Sequence, residues 1–252
     1  MQQHPNFARG LTMIGARVEE ISLSNGMVQA IRRGPVTYIG RGLFERSSDL
    51  RQLRQRRLVI LNAEADDDSL YRAAGFRKVL TGAYVAELNL INRPAPRTKW
   101  RQALRQSHAL AFETTIRPLA PVDQWILDRD REQQITKRYR ALPHGIVTHW
   151  PVGDTVACIA AEKGVPIAAM IFLIHGAAAT YHIGWTSDHG RKLRAHHRLF
   201  DEAAQCLAQR GVQWLDLGTI DTVNTAGIAR FKIGTGATVR QLGGTWIAAP
   251  TR

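Results

Sequence analysis

Apolar residues recur along this chain in two rhythms, and the rhythm changes mark its elements. Alternation at 18–21 and 27–31 predicts two strands, joined through Ser24, Asn25 and Gly26, residue types suited to a tight hairpin turn. Before them, His4-Pro5-Asn6-Phe7 opens a short helix that ends by Gly15. A helix is expected over 48–57, capped by Ser47 or Ser48 with Leu50 and Leu53 inward. The run Leu58-Val59-Ile60-Leu61-Asn62 reads as a compact buried strand. A short helix over 69–74 stops at Gly75, and strands follow at 77–79 and 84–90. Then come a basic helix over 98–111, a strand at 112–116 and a long polar helix over 121–140, closed by Leu142-Pro143-His144-Gly145. The second half has sharper rhythm. Three strands, 155–161, 166–175 and 178–185, precede a loop and a helix over 192–209. The stripe of that helix is Leu193, Phe200, Ala203, Ala204 and Leu207. A strand at 212–217 and a further helix end the pattern. Antiparallel strands, helix, strand, helix is an α+β arrangement, and the first half repeats it loosely. Two lobes are therefore expected, 1–110 and 111–252.

The chain has 252 residues, enough for a sizeable core, and no apolar run near the roughly 20 residues that span a bilayer. Its start lacks the layout of a secretion signal, so a cytoplasmic protein is expected, touching membranes only through a substrate. Cys158 and Cys206 lie in apolar or amphipathic runs without metal-ligand spacing and read as buried hydrophobes. His196 and His197 are adjacent, hence about 100° apart on a helix, which suits no metal. Neither a metal nor a tightly bound cofactor is expected. With 34 Lys and Arg against 21 Asp and Glu, the formal net charge is +13. That favours polyanionic partners such as RNA or anionic lipid, although a solvated basic surface would give the same count. Basic residues are densest at Arg51, Arg54, Arg56 and Arg57, and at Arg97, Lys99, Arg101 and Arg105.

Three stretches resemble one family in order. Arg46 to Leu90 contains LVILNAEADDDSLYRAAGFRK and a strand ending AYVAELNL. Residues 98–110, TKWRQALRQSHAL, follow it. Residues 214–246, WLDLGTIDTVNTAGIARFKIGTGATVRQLGGTW, carry the most specific match, through Asp216, Gly218, Gly227, Ile228, Phe231, Lys232, Gly234 and Gly236. This is similar to the FemABX-like proteins of the GNAT superfamily. The resemblance implies the acyl-CoA N-acyltransferase fold, as two GNAT-like lobes of mixed sheets flanked by helices, the first degenerate and the second catalytic. It implies transfer of an aminoacyl or acyl group from aminoacyl-tRNA or acyl-CoA to an amine, on a small molecule or a peptide. The chain is short and has no long inserted pair of coiled-coil helices, two departures from the peptidoglycan enzymes of the family that weaken the expectation of a peptidoglycan substrate.

Such a reaction must hold an anionic donor, present a neutral amine and stabilise an oxyanion. The donor is expected at Gly190, Arg191, Lys192 and Arg194, where a strand gives way to a helix start. That run lacks the glycine pattern of the GNAT pyrophosphate loop, which weakens the acetyl-CoA reading. Lys232 is the first candidate for the cation at the oxyanion or donor. Asp216, between Leu215 and Leu217 in a buried strand, would be costly unpaired and either orients the amine or forms a structural ion pair. Of Tyr181 and His182, strand alternation lets only one face a cleft. Tyr181 is the candidate acid or base, and His182 an acceptor contact or a buried, hydrogen-bonded core residue. Asp221 and Asn224 fall in the loop after the strand, where an acceptor would sit. Glu64 and Arg101 could contribute from the first lobe. The alternative function is a catalytically degenerate basic module that binds RNA or an acidic carrier.

Overall fold

In the computed structural model, which describes residues 1–24, 26–55, 57–139 and 141–251, the alternating and continuous apolar runs become two sheets. By packing, the chain divides into Met1–Val85 with Arg240–Arg252, and Ala86–Val239. The division falls elsewhere than at 110, because the helix at 98 packs into the core of the second unit and the chain's last strand pairs into the first sheet.

The first unit contains α1 (Pro5–Met13), β1 (Arg17–Leu23), β2 (Gly26–Arg33), β3 (Val36–Gly42), α2 (Ser47–Leu53), β4 (Leu58–Ala63), α3 (Asp68–Ala73), β5 (Arg77–Leu80) and the final strand β13 (Gly244–Ala248). Its sheet runs β1-β2-β3-β4-β13-β5, with β3 and β4 parallel. The β1–β2 hairpin is present, with Asn25 outside the described residues, as is Arg56. Neither expected serine caps α2: its cap is Arg46, and Ser47 lies inside the first turn. Strands β3 and β13 were not legible in the sequence. β13 lies antiparallel to β4, setting Trp246 opposite Leu61, and Trp246 is fully buried, stacked on Tyr71 at 4.9 Å.

Glu64 is explained here. Its carboxylate accepts from Arg41 Nη2 at 2.9 Å and also from Arg240, so it ties the returning chain to the sheet. Burial alone would raise its pKa, but the two guanidiniums hold it below the usual carboxylate range. A depressed carboxylate contributes stability that is fully present above its unfolded pKa and is lost as pH falls through the lower folded value. Glu64→Gln is therefore expected to cost about 2 kcal/mol at pH 7, with the gap to wild type closing below about pH 4. Urea unfolding at both pH values reads this directly.

The second unit contains α4 (Thr98–His108), β7 (Glu113–Arg117), α5 (Gln124–Thr136), α6 (His144–Thr148), β8 (Thr155–Glu162), β9 (Val165–His175), β10 (Ala178–Thr186), α7 (Asp188–Lys192), α8 (Ala195–Gln209), β11 (Trp214–Ile220) and α9 (Ala226–Gly234), together with most of β6 (Tyr84–Asn89) and the first half of β12 (Thr238–Gln241). Its sheet runs β12-β6-β11-β10-β9-β8-β7. β9 is buried from Ile167 to Ile174, which is why its sequence is continuously apolar. The stripe of α8 packs Leu199, Phe200, Ala203, Ala204 and Leu207 into that core. The long helix expected over 121–140 is a single 3-10 turn followed by α5, and its last residue, Arg140, is outside the described residues. The helix expected over 192–209 is two helices. Arg194 breaks it in the left-handed conformation (φ 55°), and the buried Ser107 hydroxyl donates to the Arg194 carbonyl at 3.2 Å.

Candidate active site

Candidate residues Tyr181, His182, Asp216 and Lys232 gather where the pairing of two neighbouring strands ends. β10 and β11 run parallel and pair only over Ala178–Thr180 against Trp214–Asp216. Beyond Thr180 and Asp216 that ladder ends, leaving an opening between the two strands whose edges still carry backbone donors and acceptors.

Two irregularities shape the walls. On β10, Tyr181 pairs with Phe172 and Ile183 with Ile171, so His182 is an extra residue, a β-bulge. The bulge overrides the strict alternation expected for Tyr181 and His182. Tyr181 packs on Phe172, ring centroids 5.4 Å apart, and its hydroxyl lies over Gly184, where a Cβ would come within 1.8 Å. Burial raises the Tyr181 pKa, and pushes His182 down to about 4 against the opposing pull of Asp130. On β11, Gly218 sits at φ +75°, a conformation costly for other residues, and donates its N–H to Asp216 Oδ1 at 2.7 Å.

Lys232 comes to that bend from α9. It is 9% exposed, and its ammonium donates to the Thr219 carbonyl at 2.9 Å. Burial lowers its pKa to about 8, with the Asp216 carboxylate pulling the other way. The fold thus brings together Lys232 and Asp216 as the sequence suggested. Thr219, which supplies a carbonyl rather than a side chain, was missed. Phe231 belongs to an aromatic cluster with Trp100, His197 and Phe200. His196, dismissed as a metal ligand, reaches the opposite wall: its Nε2 bonds the Trp185 carbonyl at 2.8 Å, and burial lowers its pKa to about 4.

The expected donor residues lie on α7 and just beyond it. Arg191, Lys192 and Arg194 are exposed, and Arg191 pairs with Asp188 at 2.9 Å. Gly190 is buried. Its N–H is taken by the Ser187 hydroxyl at 3.0 Å, and a Cβ there would come within 2.2 Å of the Ile167 carbonyl. It serves a close backbone approach. Asp221 accepts from the backbone N–H groups of Val223 and Asn224 and from the Asn224 side chain at 2.8 Å. These two residues therefore fold the loop after β11. Arg101 is exposed on α4. Cys158 is buried and Cys206 half-buried. Among the described residues no group of His, Cys, Asp and Glu has the arrangement of a metal site, and no helix is long and apolar enough to cross a membrane.

Residues 155–252, which hold both walls of the opening and α9, match the FemAB family model. The matched stretch is less than half of the chain. The stretch at 214–246 that carries the sequence resemblance lies inside it. No curated protein matches the sequence significantly. Among solved structures, FemX superposes with a TM-score of 0.79 at 11% identity, over 98% of this chain and 91% of FemX. L-PGS from Bacillus licheniformis gives 0.62 at 14%, over 100% and 94%. A tandem GNAT protein from the clavulanic acid biosynthesis pathway gives 0.52 at 10%, over 98% and 89%. At these identities the likeness is one of fold. The expected α+β architecture of GNAT type, with two mixed sheets flanked by helices, is the one found.

Proposed function

We propose that this chain transfers an aminoacyl group from aminoacyl-tRNA to an amine. The observation that carries the proposal is the buried Lys232 ammonium where the pairing of β10 and β11 ends, inside the segment that matches the family. In a site screened from water, a fixed cation stabilises a developing oxyanion far better than it could in solvent. Thr219 and Asp216 hold Lys232 there, and the donor's ester carbonyl enters the opening. The acceptor amine attacks the carbonyl carbon, the carbon–oxygen bond to the tRNA ribose breaks, and an amide forms. Arg191, Lys192 and Arg194, exposed beside this opening, meet the phosphates of the tRNA end, and Gly190 sets the backbone from which they project. His182 and the loop of Asp221 and Asn224 contact the acceptor, a small molecule or a peptide. Tyr181 closes the wall opposite Lys232. The formal charge of +13 suits a polyanionic donor in the cytoplasm.

Thermal stability in the presence of each donor tests the donor. A ligand that binds only the folded state at about 100 times its Kd adds about 2.7 kcal/mol, which raises Tm by about 5–11 °C in a chain of this size. Charged tRNA is expected to raise Tm more than uncharged tRNA, with an effect that weakens as salt rises. A shift with acyl-CoA and none with charged tRNA would replace the donor. A shift with both tRNA forms alike and no product would favour an RNA-binding module.

A further inference from the structure

A second cluster of polar side chains lies against β10, and the site above does not use it. Asp130, on the inner face of α5, is 5% exposed. Its Oδ1 accepts from the Tyr139 hydroxyl at 3.1 Å. Its Oδ2 accepts from Gln134 Nε2 at 2.7 Å and from His144 Nε2 at 2.8 Å. A buried carboxylate needs such donors, so this arrangement puts the His144 proton on Nε2. His144 Nδ1 is then an unprotonated nitrogen with no hydrogen bond among the described residues. A base held in one tautomer by a carboxylate, with its other nitrogen free, is poised to accept a proton.

The cluster is placed at the opening. Gln133, three residues from Asp130 on the same helix, donates to the Gly184 carbonyl at 3.3 Å, in the part of β10 beyond its pairing with β11. Trp125 packs edge-on against Trp185 at 5.5 Å, fixing α5 over the same stretch. The field of Asp130 reaches both Tyr181 and His182 at the bulge. The charged and titratable groups facing His144 are Asp130 from α5, Tyr139 from the segment after it, and His182 from β10.

We propose that Asp130 and His144 form the base that deprotonates the acceptor's ammonium group, an inference that rests on the transferase reading. An alkylammonium cannot attack, because its nitrogen has no lone pair. His144 Nδ1 takes one proton, and the imidazolium is stabilised by Asp130. The neutral nitrogen then bonds to the donor's carbonyl carbon as the carbon–oxygen bond breaks. The nitrogen's next proton leaves with the departing ribose oxygen, and His144 returns its own proton to solvent. His144 is the catalytic residue of this step and Asp130 its positioning residue. The acceptor is thus a primary amine that is charged at neutral pH.

Two readouts on the full chain test the base. In nitrogen NMR of histidine-labelled protein, with the signal assigned through His144→Gln, wild-type His144 is expected as the Nε2–H tautomer, and Asp130→Asn is expected to lose that single state. In transfer from aminoacyl-tRNA at pH 7, His144→Gln is expected to lose about 100-fold or more with ethylamine, a typical general-base contribution, and little with hydroxylamine, which is mostly neutral at that pH. Equal loss with both probes, no loss with either, or an Nδ1–H tautomer in the wild type would overturn the base and leave the transferase reading standing. A wild-type protein that transfers to neither probe would overturn the transferase reading, and this inference with it.

Discussion

Lys232→Ala is expected to lower transfer about 10²–10³-fold, the loss seen when one fixed oxyanion donor is removed, with the fold intact. The ammonium is 9% exposed and fastened to the Thr219 carbonyl, so no neighbouring side chain need move to fill its role. Lys232→Met keeps most of the volume and removes only the charge, and should lose as much activity. The pH dependence has a particular signature. With its pKa lowered to about 8 by burial, Lys232 is charged at pH 7, and the rate should fall as pH rises through about 8. Stability should move the opposite way. Between the folded value near 8 and the unfolded value near 10.5, the unfolded chain binds more protons, so stability attributable to this group rises with pH in that window. Below pH 8 the buried charge costs up to about 3 kcal/mol. Lys232→Met is accordingly expected to be more stable than wild type at pH 7, with the difference shrinking above pH 8. Denaturant unfolding and initial rates on the same samples check both halves.

Asp216→Asn isolates the charge that supports Lys232. The amide oxygen can still accept the Gly218 N–H, so the bend at Gly218 is kept while the carboxylate is lost. Asp216 opposes the effect of burial on Lys232, and removing it should carry the Lys232 pKa further below 8. The alkaline limb of the rate profile then moves to lower pH. At pH 8 a displacement of one unit would cut activity about tenfold or less, with a smaller loss at pH 6. Asp216→Ala also unfastens Gly218, and its loss should persist at low pH, where Lys232 is charged in either variant. A rate profile of Asp216→Asn that overlays wild type would mean that Asp216 acts on the bend alone.

What the sequence revealed follows from how local each signal was. Strands β8 to β10 and the stripe of α8 were legible because their apolar residues are contiguous or periodic. Lys232 and Asp216 could be singled out as candidates because a dense motif surrounds them. The bulge at His182 was not legible, since alternation assumes a regular strand and the extra residue shows only in pairing with Phe172 and Ile171. β13 was missed because GTWIA is short and follows glycines, and its reason to be a strand is β4, far away in sequence. Helix α6 was read only as the close of the preceding helix, because Pro143 and Gly145 flank His144. Asp130 lay hidden in a helix that reads as polar all round, and its partners Tyr139 and His144 stand nine and fourteen residues away. The break at Arg194 needed Ser107, from another helix, to be seen.

The most direct test of the central claim is amide formation from labelled aminoacyl-tRNA with an excess of hydroxylamine, comparing wild type with Lys232→Met at pH 7. The expected result is labelled hydroxamate from wild type, dependent on charged tRNA, and about 10²–10³-fold less from the variant. Equal product from both proteins, or product from acyl-CoA and none from tRNA, would contradict the account.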